Sequence, residues 1–379
     1  MTTATHPPAT ATDTEGISVT PTPGGFDATV VRRDTTRITI HSNGFADEVS
    51  QRAQDGAFVL LDRNVHEAWR DALRLPAGSY LIVEPGEHHK TLQQAACVVD
   101  QLHERGIHRT QPLIGVGGGT TTDLVGLVAN LYFRGVPAVY VPTTLLGMID
   151  AAIGGKTGVN HPRQKNLLGS FSHPSAVAVH LDALDTVPHH HTVSALGEAL
   201  KLAVADNQND LFHLLDRGVR LLDDPVLLTH VVSTCIATKL RLLGENAFER
   251  DLARVLNLGH TVAHPLEEIT DYRIPHGTAV GIGVAVAAHI SHQRSLLPET
   301  DLHKILAALR RLALPVMDPD FDRDELASRV QRLKLQRGGT SLHYVLPTAI
   351  GSTTIVDEVH TAELYQAVHQ LTAYQKRTS

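Results

Sequence analysis

The chain has only two cysteines among its 379 residues, Cys97 and Cys235, and they do not form a Cys-x-x-Cys pair. Neither a disulfide framework nor a zinc knuckle can be built from them. A basic block is missing as well. The 33 Lys and Arg are scattered among 40 Asp and Glu, for a formal net charge of −7, so no phosphate-tracking stripe exists and nucleic acid is not an expected partner. The longest apolar run, AVGIGVAVAAHI at 279–290, falls well short of the roughly 20 residues that span a bilayer. No secretory signal pattern precedes the first strand-like segment, so the expectation is a cytoplasmic protein with no membrane partner. Large apolar residues are nearly missing from residues 1–26, which are rich in Thr, Pro, Ala and Gly. Such a stretch buries too little to offset the entropy of ordering and is expected to be a disordered tail.

What remains has an ordinary globular composition, 42% hydrophobic and 19% charged, enough for two domains or one large one. A strand pair is expected over 28–41. Short apolar strands then alternate with helical segments: AFVLLD (57–62), a helix near 65–74, SYLIVE (79–84), a helix over 90–105 and PLIGVGGG (112–119). That alternation predicts a parallel sheet with covering helices, an α/β Rossmann-like nucleotide-binding domain over 27–190. From about residue 190 the apolar period is helical almost throughout, over 194–204, 210–222, 225–244, 251–269, 277–295, 300–312, 323–332 and 361–375. An all-α C-terminal domain for metal and substrate is therefore expected over 191–379, with the site in the cleft between the two.

Three stretches carry chemistry. GVGGGTTTD (115–123) follows a strand and opens the helical run LVGLVANLYF, a context in which glycines let the backbone approach a pyrophosphate at a helix N-terminus. The spacing is not Gly-x-Gly-x-x-Gly, so a tight packing turn is the other reading. Asp62 ends its strand where an acid can take ribose hydroxyls, or serves simply as a strand-end turn residue. Glu87 and Lys90 of PGEHHK (85–90) lie in the next strand-to-helix loop, where a plain helix cap also fits. Further on, Arg134, Lys156, Lys165 and Asn166 fall in a glycine-rich region over 133–166 read as loop, and suit an anionic substrate or cofactor. Finally, NLGHTVAH (257–264) puts His260 and His264 on one helical face, and His276 returns after a Pro-marked turn. Among 24 histidines such a pair arises by chance, but SALGEALKLAV (194–204) adds Glu198, with Lys201 on the same face. One Glu and two His from separate segments are the ligand set of a catalytic divalent metal with an open position.

Taken in order, PGExxK (85–90), GGGxxxD (117–123), RG (134–135), PTTLLxxxD (142–150), GGKTGVN (154–160), KN (165–166), GExLK (197–201), NxGHxxxH (257–264) and HGxAV (276–280) resemble the sugar phosphate cyclases, the family of 3-dehydroquinate synthase. The match runs over about 28–350. The resemblance implies a homodimer with bound NAD and one divalent metal, zinc or cobalt, that converts a small-molecule ketose phosphate into a carbocycle with loss of phosphate. It places the metal on Glu198, His260 and His276, and NAD on Asp62, Glu87, Lys90, Gly118, Gly119, Asp123, Thr143 and Thr144. Lys156, Lys201, Asn257 and His264 fall on catalytic positions, and Asp150, Lys165, Asn166, Lys239 and Arg254 on substrate and phosphate positions. Arg134 matches an arginine that reaches a phosphate across a dimer interface.

The branch is set by departures from the pattern. Where 3-dehydroquinate synthases carry an arginine that helps bind a sugar carboxylate, this chain has Ala253, and in place of an Asp-Lys-Lys run it has only Lys334 within RLKLQRGGTSLHYVLP (332–347). In contrast, ENAFERDLARVLNLGH (245–260) looks like the sedoheptulose 7-phosphate cyclases, such as 2-epi-5-epi-valiolone synthase, whose substrate has a hydroxymethyl group instead of the carboxylate. His264, Asn257 and Lys239 look like the dehydroquinate type. A 3-dehydroquinate or aminodehydroquinate synthase, a 2-deoxy-scyllo-inosose synthase, a metal-dependent alcohol or glycerol dehydrogenase and a noncatalytic binding module stay as alternatives.

Overall fold

The computed structural model describes residues 15–208, 210–251, 253–318, 323–336 and 343–378. Strands β1 (Gly16–Thr22) and β2 (Gly25–Val31) form an antiparallel hairpin, so the tail expected to run to residue 26 gives way to strand from residue 16. Alternation explains it: Ile17, Val19 and Pro21 pair with Val30, Ala28 and Phe26 on one face, while Ser18, Thr20, Asp27 and Thr29 take the other. The strand pair expected over 28–41 is also redrawn. β2 pairs with β1, and β3 (Arg37–His41) joins the main sheet instead.

That sheet is built as predicted from alternating units. In chain order come α1 (Phe45–Gln54), β4 (Phe58–Asp62), α2 (Arg63–Trp69), β5 (Tyr80–Val83), α3 (Leu92–Glu104), β6 (Leu113–Gly117), α4 (Gly119–Leu131) and β7 (Ala138–Pro142). A hairpin of β8 (Lys156–His161) and β9 (Gln164–Phe171) precedes the last sheet strand, β10 (Ala176–His180). The six strands lie in the order β3-β10-β7-β6-β4-β5, all parallel. β4, β6 and β7 are buried along their whole length, which is why they read as unbroken apolar runs rather than alternating ones. From β4 the chain moves outward to β5, then returns to place β6 on β4's other side. The strand order reverses there, and in open α/β sheets the crevice at the carboxyl ends of such strands is where ligands bind. Asp62 and Gly117 end those two strands.

The region over 133–166, read as loop, is more ordered than expected. It contains β7, a π-helical turn (Gly147–Ala151) and the β8–β9 hairpin, which lies against α4. The pattern hid this because β9 faces solvent at alternate positions and carries Lys165 and Asn166 within it.

The second half holds α5 (His189–Ala205), α6 (Leu211–Leu214), α7 (Pro225–Leu243), α8 (His260–Ile269), α9 (His276–Gln293), α10 (Glu299–Arg311), α11 (Arg323–Gln336) and α12 (Thr361–Thr378). It is mostly helical but not all-α. A hairpin, β11 (Tyr344–Ala349) with β12 (Ser352–Val356), packs on α9 and α5. The helix expected over 251–269 begins only at His260, because Gly259 has φ 79° and the stretch before it turns on short local bonds. By length and composition α7 and its extension to Asn246 would suffice to cross a membrane, at a mean hydropathy of 1.4, but half of that window is buried in the protein.

Close backbone approaches fix the helices that matter. A β-carbon on Gly197 of α5 would lie 1.9 Å from the Gly277 carbonyl oxygen of α9, and one on Gly277 would lie 2.1 Å from that of Ser194. A β-carbon on Gly283 would meet the Gly259 carbonyl oxygen at 2.0 Å. Only glycine fits at these crossings. Each one is adjacent to, or carries, a residue of the Glu198, His260 and His276 set, so the glycines bring those three side chains together.

Candidate metal and substrate site

Glu198 is fully buried. Its Oε1 lies 3.4 Å from His260 Nε2 and 3.2 Å from His276 Nε2, and these three ligand atoms cluster as a potential metal site. Metal–ligand bonds of about 2.0–2.1 Å in a tetrahedron imply ligand–ligand edges of roughly 3.3 Å, which matches. Both Glu198 oxygens are buried without a hydrogen-bond partner, although Lys201 Nζ is 2.6 Å from Oε2. The donor set therefore fits a divalent cation. Burial pushes the His260 pKa down to about 4, keeping the imidazole neutral as a ligand must be. For His276 burial acts the same way, but the Glu267 and Glu198 carboxylates outweigh it and push the pKa up to about 10, a demand for positive charge at this imidazole that a cation on Nε2 would meet in place of the proton.

A second cluster begins at Glu267, which is buried. Its Oε2 is 3.0 Å from His276 Nδ1 and its Oε1 is 3.0 Å from Lys165 Nζ. Lys165 also pairs with Glu87 at 3.1 Å and lies 5.2 Å from the Tyr272 ring centre. Asn160 donates to Glu87 at 2.8 Å and accepts the Asn166 N–H at 2.9 Å. Buried Lys90 donates to Asp123 at 2.5 Å and to Asn166 Oδ1 at 2.7 Å. Glu87 is thus not the helix cap; Thr91 caps α3. Six expected residues from four separate motifs meet here.

A third cluster lies at the other end of the β8–β9 hairpin, four residues or roughly 13 Å along the strand. Lys239 donates to the Asp150 carboxylate at 2.7 Å and to its carbonyl at 2.5 Å. Lys156 and Arg254 both ion-pair with Glu249. Burial, with Lys239 and Arg254 nearby, pushes the Lys156 pKa down to about 7. Since 53% of its side chain is exposed, solvent screens part of that effect. Arg250 points elsewhere, over the Phe248 ring.

The glycine turn sits at the switch point, with Gly118 capping α4 and no side chain bonded to the cap. A β-carbon on Gly117 would lie 2.7 Å from Thr121 and 2.8 Å from Asp62, and one on Gly119 2.8 Å from Ala151. Packing alone thus requires glycine there, and the nucleotide reading rests on the turn's position. Asp62 is nearly buried; it caps α2 through the Asn64 N–H (2.8 Å) and accepts from Thr121 (3.0 Å). The Thr143 N–H bonds Gly117, and Thr144 accepts from the Gly147 N–H at 3.1 Å beside Gly118.

His264 joins the metal cluster, its ring 5.1 Å from that of His260, and burial holds its pKa well below the ordinary value. Asn257 ends a short turn (Val255–Asn257) two residues before Gly259. Arg134 stands apart. It is exposed, with φ 61°, in the turn after α4, between solvent-facing Leu131 and Phe133 and the start of β7. The Lys334 side chain lies outside the described residues. Glu267, Asn160 and Glu249 were missed from the sequence. For Glu267 a signal existed: it follows His264 by three residues and His260 by seven, so all three share one face of α8.

Residues 80–194 match the 3-dehydroquinate synthase N-terminal family and residues 195–335 its C-terminal counterpart. The chain belongs to the 3-dehydroquinate synthase family. Among relatives of this sugar phosphate cyclase, a 2-epi-valiolone synthase of Stigmatella aurantiaca is 35% identical over 376 residues, 92% of this chain and 91% of that one. A 3-dehydroquinate synthase of Pelobacter propionicus is also 35% identical, over 280 residues, 73% and 77%. Among solved structures, ValA, the 2-epi-5-epi-valiolone synthase of Streptomyces hygroscopicus subsp. jinggangensis 5008 with NAD+ and Zn2+ bound, superposes with a TM-score of 0.83 at 29% identity, covering 91% of the cyclase and 99% of ValA.

Proposed function

We propose that the chain binds NAD at the Gly117–Gly119 switch point and one divalent metal, zinc or cobalt, on Glu198, His260 and His276, and cyclises sedoheptulose 7-phosphate to a valiolone-type cyclitol with loss of phosphate. When bound, the metal supplies Lewis acidity to vicinal sugar oxygens and NAD a transient hydride acceptor. The chain's own residues position and polarise. Lys165 and Asn166 supply donors for the substrate's phosphate, and Lys201 holds its ammonium group against Glu198 Oε2 at the cluster. Burial holds His264 as a neutral imidazole beside the cluster.

The observation that carries the substrate choice is local. Ala253 stands where a carboxylate reader would be, and the neighbouring Arg254 guanidinium is already engaged by Glu249. A sugar carboxylate buried there without a free cation would cost about 2–5 kcal/mol, whereas a hydroxymethyl group needs none. Chain coverage supports the same branch: two 2-epi-valiolone synthases align over 92% and 93% of this chain, several 3-dehydroquinate synthases over 72–80%. Lys239, Asn257 and His264 favour the dehydroquinate type as the second reading. With NAD and cobalt present, phosphate release from sedoheptulose 7-phosphate should exceed that from 3-deoxy-arabino-heptulosonate 7-phosphate by about 30-fold or more. Turnover of the carboxylated sugar alone sinks the assignment.

A homodimer is part of this reading. Arg134 follows α4, which runs about 18 Å from Gly119 to Leu131 at 1.5 Å per residue, and the exposed apolar side chains of Leu131 and Phe133 that precede it support a neighbouring subunit at that end. Sedimentation at low concentration should give twice the 41.0 kDa chain mass; a monomer there is the contrary result.

A further inference from the structure

We infer that Glu249 is the residue by which this chain rejects carboxylate-bearing sugar phosphates, an inference that rests on the hydroxymethyl-sugar reading above. Its loop is built to hold it inward. Asn246 donates to the Asp251 carbonyl at 2.8 Å and accepts the Asp251 N–H at 3.1 Å, while the Asp251 carboxylate takes the Ala253 N–H at 2.8 Å. Within that loop Glu249 adopts φ 49°, a left-handed conformation that costs a non-glycine residue energy and persists where the surroundings impose it. The result is a side chain 12% exposed between Phe248 and Arg250, both exposed.

Turned inward, Glu249 ion-pairs with two cations at once, Lys156 and Arg254. An ammonium and a guanidinium converging on one point make a carboxylate site, and in this chain the carboxylate is built in. An incoming sugar carboxylate must displace Glu249 or sit against a like charge, and either loses affinity. The other cation of this end, Lys239, is taken by Asp150 in the same way. A hydroxymethyl group neither competes for these cations nor is repelled. Exclusion therefore comes from an occupied cation pair as well as from the missing arginine at Ala253.

The test compares wild type with Glu249→Gln and Glu249→Ala as NAD- and cobalt-loaded proteins, on both sugars. Removing the charge should shift the ratio of kcat/KM values toward the carboxylated sugar by about tenfold or more, a change of roughly 1.4 kcal/mol. The shift should lie in a lower KM for the carboxylated sugar, a gain that loss of structure does not produce. Either variant that retains NAD and metal decides. An unchanged ratio, or a shift carried by kcat alone, overturns the inference. If wild type itself prefers the carboxylated sugar, the substrate reading falls; if wild type prefers the hydroxymethyl sugar and the ratio does not move, Glu249 alone is refuted.

Discussion

Chelating the metal, or replacing His260 by Ala, is expected to lower turnover by about a thousandfold or more with the fold retained. Lewis-acid stabilisation is worth several kcal/mol, and each 1.36 kcal/mol is tenfold in rate. The burial of Glu198 points the same way. Glu198 is fully buried, with the Lys201 ammonium on Oε2 and two imidazoles facing Oε1, so Oε1 is the oxygen left for a second cation, and a buried carboxylate is costly to keep unless its charge is so shared. His260, at the first position of α8 and partly exposed, can be truncated without opening a large cavity. Phosphate release, metal content and circular dichroism read the three parts of this expectation. Zinc or cobalt should restore chelated wild type, and full turnover in metal-free protein would contradict it.

Glu267→Ala should weaken metal binding by about 10- to 100-fold, the usual cost of losing the group that orients a ligating imidazole. The His276 Nδ1–H donates to Glu267, which fixes the tautomer and leaves Nε2 toward Glu198 and the metal. The same carboxylate holds Lys165, so one substitution loosens a metal ligand and a substrate cation together. The sugar phosphate KM should rise as well. Zinc titration of the variant reads the first effect and steady-state kinetics the second; a zinc dissociation constant within about twofold of wild type rules out the coupling.

The elements that were legible in the sequence share a cause. β4, β6, α5 and α9 are near-continuous apolar runs buried over most of their length, so their composition reports their burial directly. The β1–β2 hairpin and β9 face solvent, and their threonines, glycines and charges read as tail or loop. The β11–β12 pair was absorbed into a helical domain because its strands are only partly buried and packed on helices. In the site, residues with unusual chemistry for their surroundings, such as Glu198 and Lys201 in an apolar helix, were visible. Glu249 was not, since its role depends on its own left-handed backbone, which turns it toward Lys156 of β8 and Arg254 of the same loop. Likewise Asp62 could be placed at a strand end, but not seen to cap α2 and hold Thr121.

X-ray absorption of the cobalt-loaded protein tests the central claim most directly, because it counts ligands by chemical type without relying on turnover. One cobalt per chain with two imidazoles and oxygen donors in its first coordination sphere, and loss of one imidazole's scattering in either His260→Ala or His276→Ala, is the predicted result. A coordination sphere without imidazole, or one unchanged by both substitutions, would show that the Glu198, His260 and His276 cluster is not the metal site.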